Sequence, residues 1–114
     1  MIIENTGLKG LQNDLAHLDE VTANLGFVRW QWEYYRATYD FKYEDLANQA
    51  EYFLRVNARV VEGKLESPHA LLVLEDAYIG RATFPHGLDY ESPIPEPILS
   101  ASKQKLSELQ KQLS

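Results

Sequence analysis

Leu8, Leu11, Leu15, Leu18, Thr22 and Leu25 follow one another at alternating spacings of three and four. That spacing lines one face of a helix and predicts one over residues 11–25. Gly26 follows, a residue able to take the left-handed conformation that closes a helix. Asn13, Asp14, His17 and Glu20 occupy the other side and suit a solvated face. From Phe27 the period shortens to two. Residues 27–43, FVRWQWEYYRATYDFKY, are rich in aromatic and β-branched side chains and lack proline and glycine, which predicts strand. Val28, Trp30, Trp32 and Tyr34 share one parity. Tyr35, Ala37, Tyr39, Phe41 and Tyr43 share the other. A phase change in a period-two pattern needs a bulge, a bend or a turn, placed here near Trp32–Tyr35. The pattern leaves open whether this is one kinked strand or two.

EDLANQA, residues 44–50, reads as a connection. Residues 51–62 return to strand, with Tyr52, Leu54, Val56, Ala58 and Val60 facing one way and Phe53, Arg55, Asn57, Arg59 and Val61 the other. GKLESP, residues 63–68, is a turn. Residues 70–79 form a further strand, apolar on both parities at Leu71–Leu74. Regularity is then expected to stop. Pro93, Pro95 and Pro97 alternate in a stretch that cannot pair as strand. A second helix is predicted from about Ile98 to Leu113, where Leu99, Ser102, Leu106, Leu109 and Leu113 repeat the three-four spacing. The expected fold is α+β: one domain over residues 1–114, with an antiparallel sheet of about four strands packed on one face by amphipathic helices from both chain ends.

Core parity also sets the register. It is odd before the 44–50 connection and even after it, so a hairpin centred near Ala47–Asn48 puts Tyr43 opposite Tyr52, Phe41 opposite Leu54 and Tyr39 opposite Val56. On the other face Asp40 meets Arg55, as an exposed ion pair worth at most ~1 kcal/mol. Thr38 meets Asn57, and Arg36 meets Arg59. A turn near Glu66 pairs Val60 with Leu72 and Ala58 with Leu74. The second face then collects Val61, Leu71 and Val73 beside Arg59, an apolar patch that needs a cover. The stretch Ser92–Pro97 or a second copy of the chain could supply it. A rigid proline run covers area poorly, which favours a homodimer through this face.

Composition narrows the function classes. A chain of 114 residues with 45% hydrophobic and 25% charged side chains can build a core without metal or disulfides. Cysteine is absent, which excludes thiolate metal sites and cysteine nucleophiles. Net charge is −6, with seven acidic against two basic residues over 62–99 and a positive balance only in the last fifteen residues. No basic run meets the demand that nucleic acid makes. No segment approaches the ~20 apolar residues of a membrane helix, and the start lacks the form of a signal peptide. A cytoplasmic location is expected, with no nucleic-acid or membrane partner.

Candidate chemistry centres on FPHGLDY, residues 84–90. His86 could act as a base with Asp89 as its orienter, and Tyr90 could supply a proton. The competing reading is a Pro-His-Gly turn, and no nucleophile motif accompanies the histidine. His17, His69 and His86 lack metal-ligand spacing, so a metal would need His86, Asp89 and Glu91 to meet in space. Neither metal nor cofactor is expected. Trp30 and Trp32 beside Arg29 could make a contact surface, as could Arg36, Arg55 and Arg59, which share the parity opposite the core. Most of the aromatics suit the sheet core, with one or two at the phase change left for contact. For the arginines, a solvated face with cross-strand ion pairs is the favoured reading. The balance favours a non-enzymatic binding or assembly module acting through a protein surface on an unknown protein partner. The alternative is a small-molecule or enzymatic site in the loop Arg81–Tyr90.

WEYYRATYDFKYED, YFLRVNARVVEG and IGRATFPHGLDYE together resemble the YugN-like family of bacillus-type bacteria, along nearly the whole chain. The resemblance implies a small bacterial cytosolic domain. It implies no activity, cofactor or partner, and no active-site residues to carry over.

Overall fold

The computed structural model describes residues 1–83 and 87–114, with the backbone alone at 31–33. Chain order is β1 (Ile2–Ile3), β2 (Gln12–Asp14), α1 (Leu15–Asn24), β3 (Val28–Glu33), β4 (Arg36–Asp45), β5 (Ala50–Glu62), β6 (Leu71–Thr83), β7 (Gly87–Asp89) and α2 (Glu96–Leu113). The architecture is α+β, and among the described residues its sheet has seven strands rather than about four. Strands β3, β4, β5 and β6 lie side by side, all antiparallel. The outer edge of β6 then meets β2 at 71–73, β1 at 77–78 and β7 at 81–83.

The β4–β5 register is the expected one from Arg36↔Arg59 to Tyr43↔Tyr52, and the strands run on to Asp45↔Ala50, into residues expected to be connection. Ala58↔Leu74 and Val60↔Leu72 also pair as expected. A bulge follows: Glu75 and Asp76 on β6 face Asn57 alone on β5, and the core parity of β6 moves from Leu72 and Leu74 to Ala77 and Ile79. Strand structure does not stop at Gly80. It runs to Thr83, and β7 pairs antiparallel with that end of β6. Residues 27–43 resolve into two strands joined at Tyr34–Tyr35. The first helix is shorter than its apolar stripe, because Asp14 caps it by accepting from the His17 N–H at 2.9 Å. The residues before Asp14 pair with β6 instead. The second helix starts earlier than expected, at Glu96, with Pro95 as its N-cap residue.

Both helices contribute to one core on one face of the sheet, where Leu18, Leu54, Val56, Ile79 and Leu109 are fully buried. Each such side chain contributes about 1.5–3 kcal/mol. Ile94 packs on this core too, so the proline stretch runs toward the helix side. Lys105 of α2 donates to the Leu25 carbonyl at the end of α1, 3.1 Å away, and lies over the Phe41 ring.

Two tyrosines on the core face should respond oppositely to loss of their hydroxyls. Tyr39 is buried and donates to Asp19 Oδ1 at 2.8 Å, tying the sheet to α1. Tyr43 Oη is buried near Ser102, whose hydroxyl donates to the Ile98 carbonyl at 2.8 Å, and is in hydrogen-bonding geometry with no described group. Tyr39→Phe should cost about 1.5–3 kcal/mol, and Tyr43→Phe should be neutral or stabilising. Urea unfolding of both variants decides this. Burial, and then the bond to Asp19, push the Tyr39 phenol well above its ordinary value. Above pH ~10 the unfolded chain therefore sheds a proton that the folded chain keeps, so stability falls as pH rises. Tyr39→Phe should flatten that fall.

Candidate functional site

The face opposite the helices is open, and its rows follow from the register. One row runs Val28, Asp40, Arg55, Tyr78 across β3 to β6. Arg55 grips Asp40 with two bonds, Nε to Oδ1 and Nη2 to Oδ2, each 2.8 Å. This bond is the main force raising the Arg55 guanidinium pKa, against partial burial. The pair is not the exposed one expected: the Asp40 side chain is only 6% accessible and that of Arg55 27%. β3 folds back along β4, which makes Asp40 an interior-strand residue, and the chain after β7 returns over Arg55.

That return is made by Tyr90. Its ring lies over Gly80, where a Cβ would meet it at 3.0 Å, and tilts against Tyr78 with centroids 5.7 Å apart. Its hydroxyl stands 3.4 Å from Arg55 Nη1. β7 also sets Leu88 opposite Ala82. Between this hairpin and Trp30 lies a depression of about 410 Å³, floored by Asp40 and Arg55 and walled by Trp30, Phe53, Ala82 and Leu88. Trp30 is 47% exposed, so it belongs to this surface and not to the core. Two candidates separate in the sequence, Trp30 with Arg55 and the loop Arg81–Tyr90, thus meet in one place. No sequence period marked β7, which spans only Gly87–Asp89.

The remaining candidates divide. His86 lies outside the described residues, as does the side chain of Trp32. Asp89 is engaged in its own turn, accepting from the Ser92 hydroxyl at 2.5 Å and the Glu91 N–H at 2.9 Å. Those two donors, the Ser92 hydroxyl first, hold its carboxyl below the ordinary value. No cluster of three metal-binding side chains occurs among the described residues. Arg36 and Arg59 stand apart from Arg55, in a second depression with Glu75, a residue that the sequence reading did not connect to them. Val61 is 40% exposed, while Leu71 and Val73 are half-buried. A register shift at Val60–Glu62 puts Glu62 opposite Leu71, and β2 flanks Leu71 and Val73 on the other side, so the apolar patch is smaller than its residue types suggest.

No helix among the described residues is long and apolar enough to cross a membrane. The chain is 31% identical over 101 residues to a Bacillus subtilis (strain 168) protein described as "Uncharacterized protein YlbA", covering 88% of this chain and 82% of that one. Its fold is similar to the crystal structure of the uncharacterized conserved protein YugN from Geobacillus kaustophilus HTA426, with a TM-score of 0.88 and 35% identity over 99% of this chain and 94% of that one. The family model described as YugN-like matches residues 4–112, and the chain belongs to the YugN-like family.

Proposed function

We propose that the protein is a non-enzymatic binding or assembly module that engages a protein partner through the open face of its sheet. The supporting observation is the asymmetry of that sheet. One face is sealed by both helices, while the other presents Val28 at 58%, Trp30 at 47% and Val61 at 40% exposure around ordered ion pairs. Exposed aromatics beside fixed arginines are the side chains that anchor protein contacts. A second copy of the chain, meeting Val61, Leu71 and Val73, is the first partner to test. The wild type should sediment as a dimer at micromolar concentration, and Val73→Glu should sediment as a monomer. A monomeric wild type, or a dimeric Val73→Glu, removes self-association through these residues. Affinity capture from cytosol then tests another protein as the partner: Trp30→Ser should lose what the wild type retains. If both Trp30→Ser and Val73→Glu retain it, the open face is not the binding surface.

A second reading, a small-molecule site at the loop Arg81–Tyr90, is favoured by the depression between Trp30 and Leu88. Apolar walls around a few fixed polar groups are the usual form of such sites. Quenching of Trp30 fluorescence by a low-molecular-weight cytosolic fraction, absent with the protein fraction, would select it.

A further inference from the structure

We propose that the second depression of the open face, around Arg59, is a binding site for a small oxyanion, a carboxylate or phosphoryl group. Arg36 and Arg59 are direct cross-strand partners on β4 and β5. Like charges placed so repel one another unless an anion stands beside them. Glu75 answers one of the two, with Oε1 3.0 Å from Arg36 Nε. The β6 bulge brings it there, because Glu75 and Asp76 together face Asn57. Arg59 has no carboxylate partner among the described residues. Its guanidinium borders a depression of about 360 Å³.

The other groups present suit an incoming anion. Asn57 Oδ1 accepts from the Thr38 hydroxyl at 2.9 Å, which leaves the amide NH2 of Asn57 to donate. Lys9 stands at the rim, 73% exposed and 3.6 Å from Asp76. Lys9, Arg36 and Arg59 line the depression together with Glu75 and Asp76, in a chain whose net charge is −6. The guanidinium fork matches two oxygens of one group, which favours carboxylate or phosphoryl over halide. This site is separate from the Trp30–Leu88 depression and does not depend on it.

The test is a titration of the full chain followed by amide NMR, with inorganic phosphate in one arm, acetate in a second and chloride of matched ionic strength in a third. Saturable shifts should appear at Asn57, Arg59 and Gly10 with one or both oxyanions. Phosphate alone would assign a phosphoryl ligand, and acetate alone a carboxylate. Arg59→Gln should weaken the response at least about tenfold. Lys111→Gln, the same charge change on the last turn of α2, should not. Equal shifts with chloride, no saturable shift with either oxyanion, or an unchanged response in Arg59→Gln would overturn the assignment. Arg59 is exposed, so its substitution leaves the fold, and the rest of the spectrum verifies this.

Discussion

Arg55→Ala should destabilise the protein by about 3 kcal/mol, the lower end of the range for breaking a buried ion pair. The lower end applies because Arg55 is partly accessible, so water can replace some of its contacts. Asp40 cannot be compensated in this way. Its carboxylate sits on an interior strand, and both oxygens take their hydrogen bonds from the lost guanidinium. Asp40→Leu combined with Arg55→Met should recover most of the loss, since the double change leaves no charge behind. Urea unfolding of wild type, single and double variants gives the coupling through a mutant cycle, expected at about 2 kcal/mol. A loss below about 1 kcal/mol in Arg55→Ala would mean that the pair behaves as an ordinary solvated one.

Gly26→Ala should cost about 2–3 kcal/mol, from backbone strain and packing together. Gly26 follows the end of α1 at φ +93, in the region where a side chain is strained. A Cβ there would stand 2.8 Å from Phe41 Cε2. The ring has little room to yield. Phe27 meets it edge-on at 5.8 Å, Tyr43 lies at 4.9 Å, and Lys105 covers it. Thermal unfolding should show the loss, with Gly10→Ala as a useful contrast: φ there is +93 as well, but a Cβ would meet nothing within 4 Å. If both variants lose the same stability, the packing contribution at Phe41 is absent and only the backbone matters.

The hairpin register was legible because two long strands alternate cleanly and in opposite phase, so a one-residue slip would expose Tyr39, Leu54 and Val56. The helix stripes were legible for the same reason. β1, β2 and β7 were not, because two or three residues are too few to show a period. Their pairing is imposed by β6, whose bare edge needs partners. The bulge at Glu75–Asp76 was also hidden, since the apolar run before it satisfies either phase. The site suffered accordingly. The residue types at Trp30, Arg55 and Tyr90 marked candidates, but their convergence depends on β3 folding back and on β7. The burial of Asp40 follows from those same two strands.

The closing of β6 by three short segments also limits how the sheet can grow. A sheet bare at both sides can add chain after chain, and that is how filaments begin. Here one side is already occupied by β1, β2 and β7, all drawn from the protein itself. Among the described residues β3 is the one edge strand longer than three residues, since the opposite edge is made of β1, β2 and β7. A copy docking along β3 would meet a six-residue row of backbone groups, against two or three residues at each short strand. Growth by strand pairing is thereby disfavoured on the β6 side, where no edge is long enough to template a further chain.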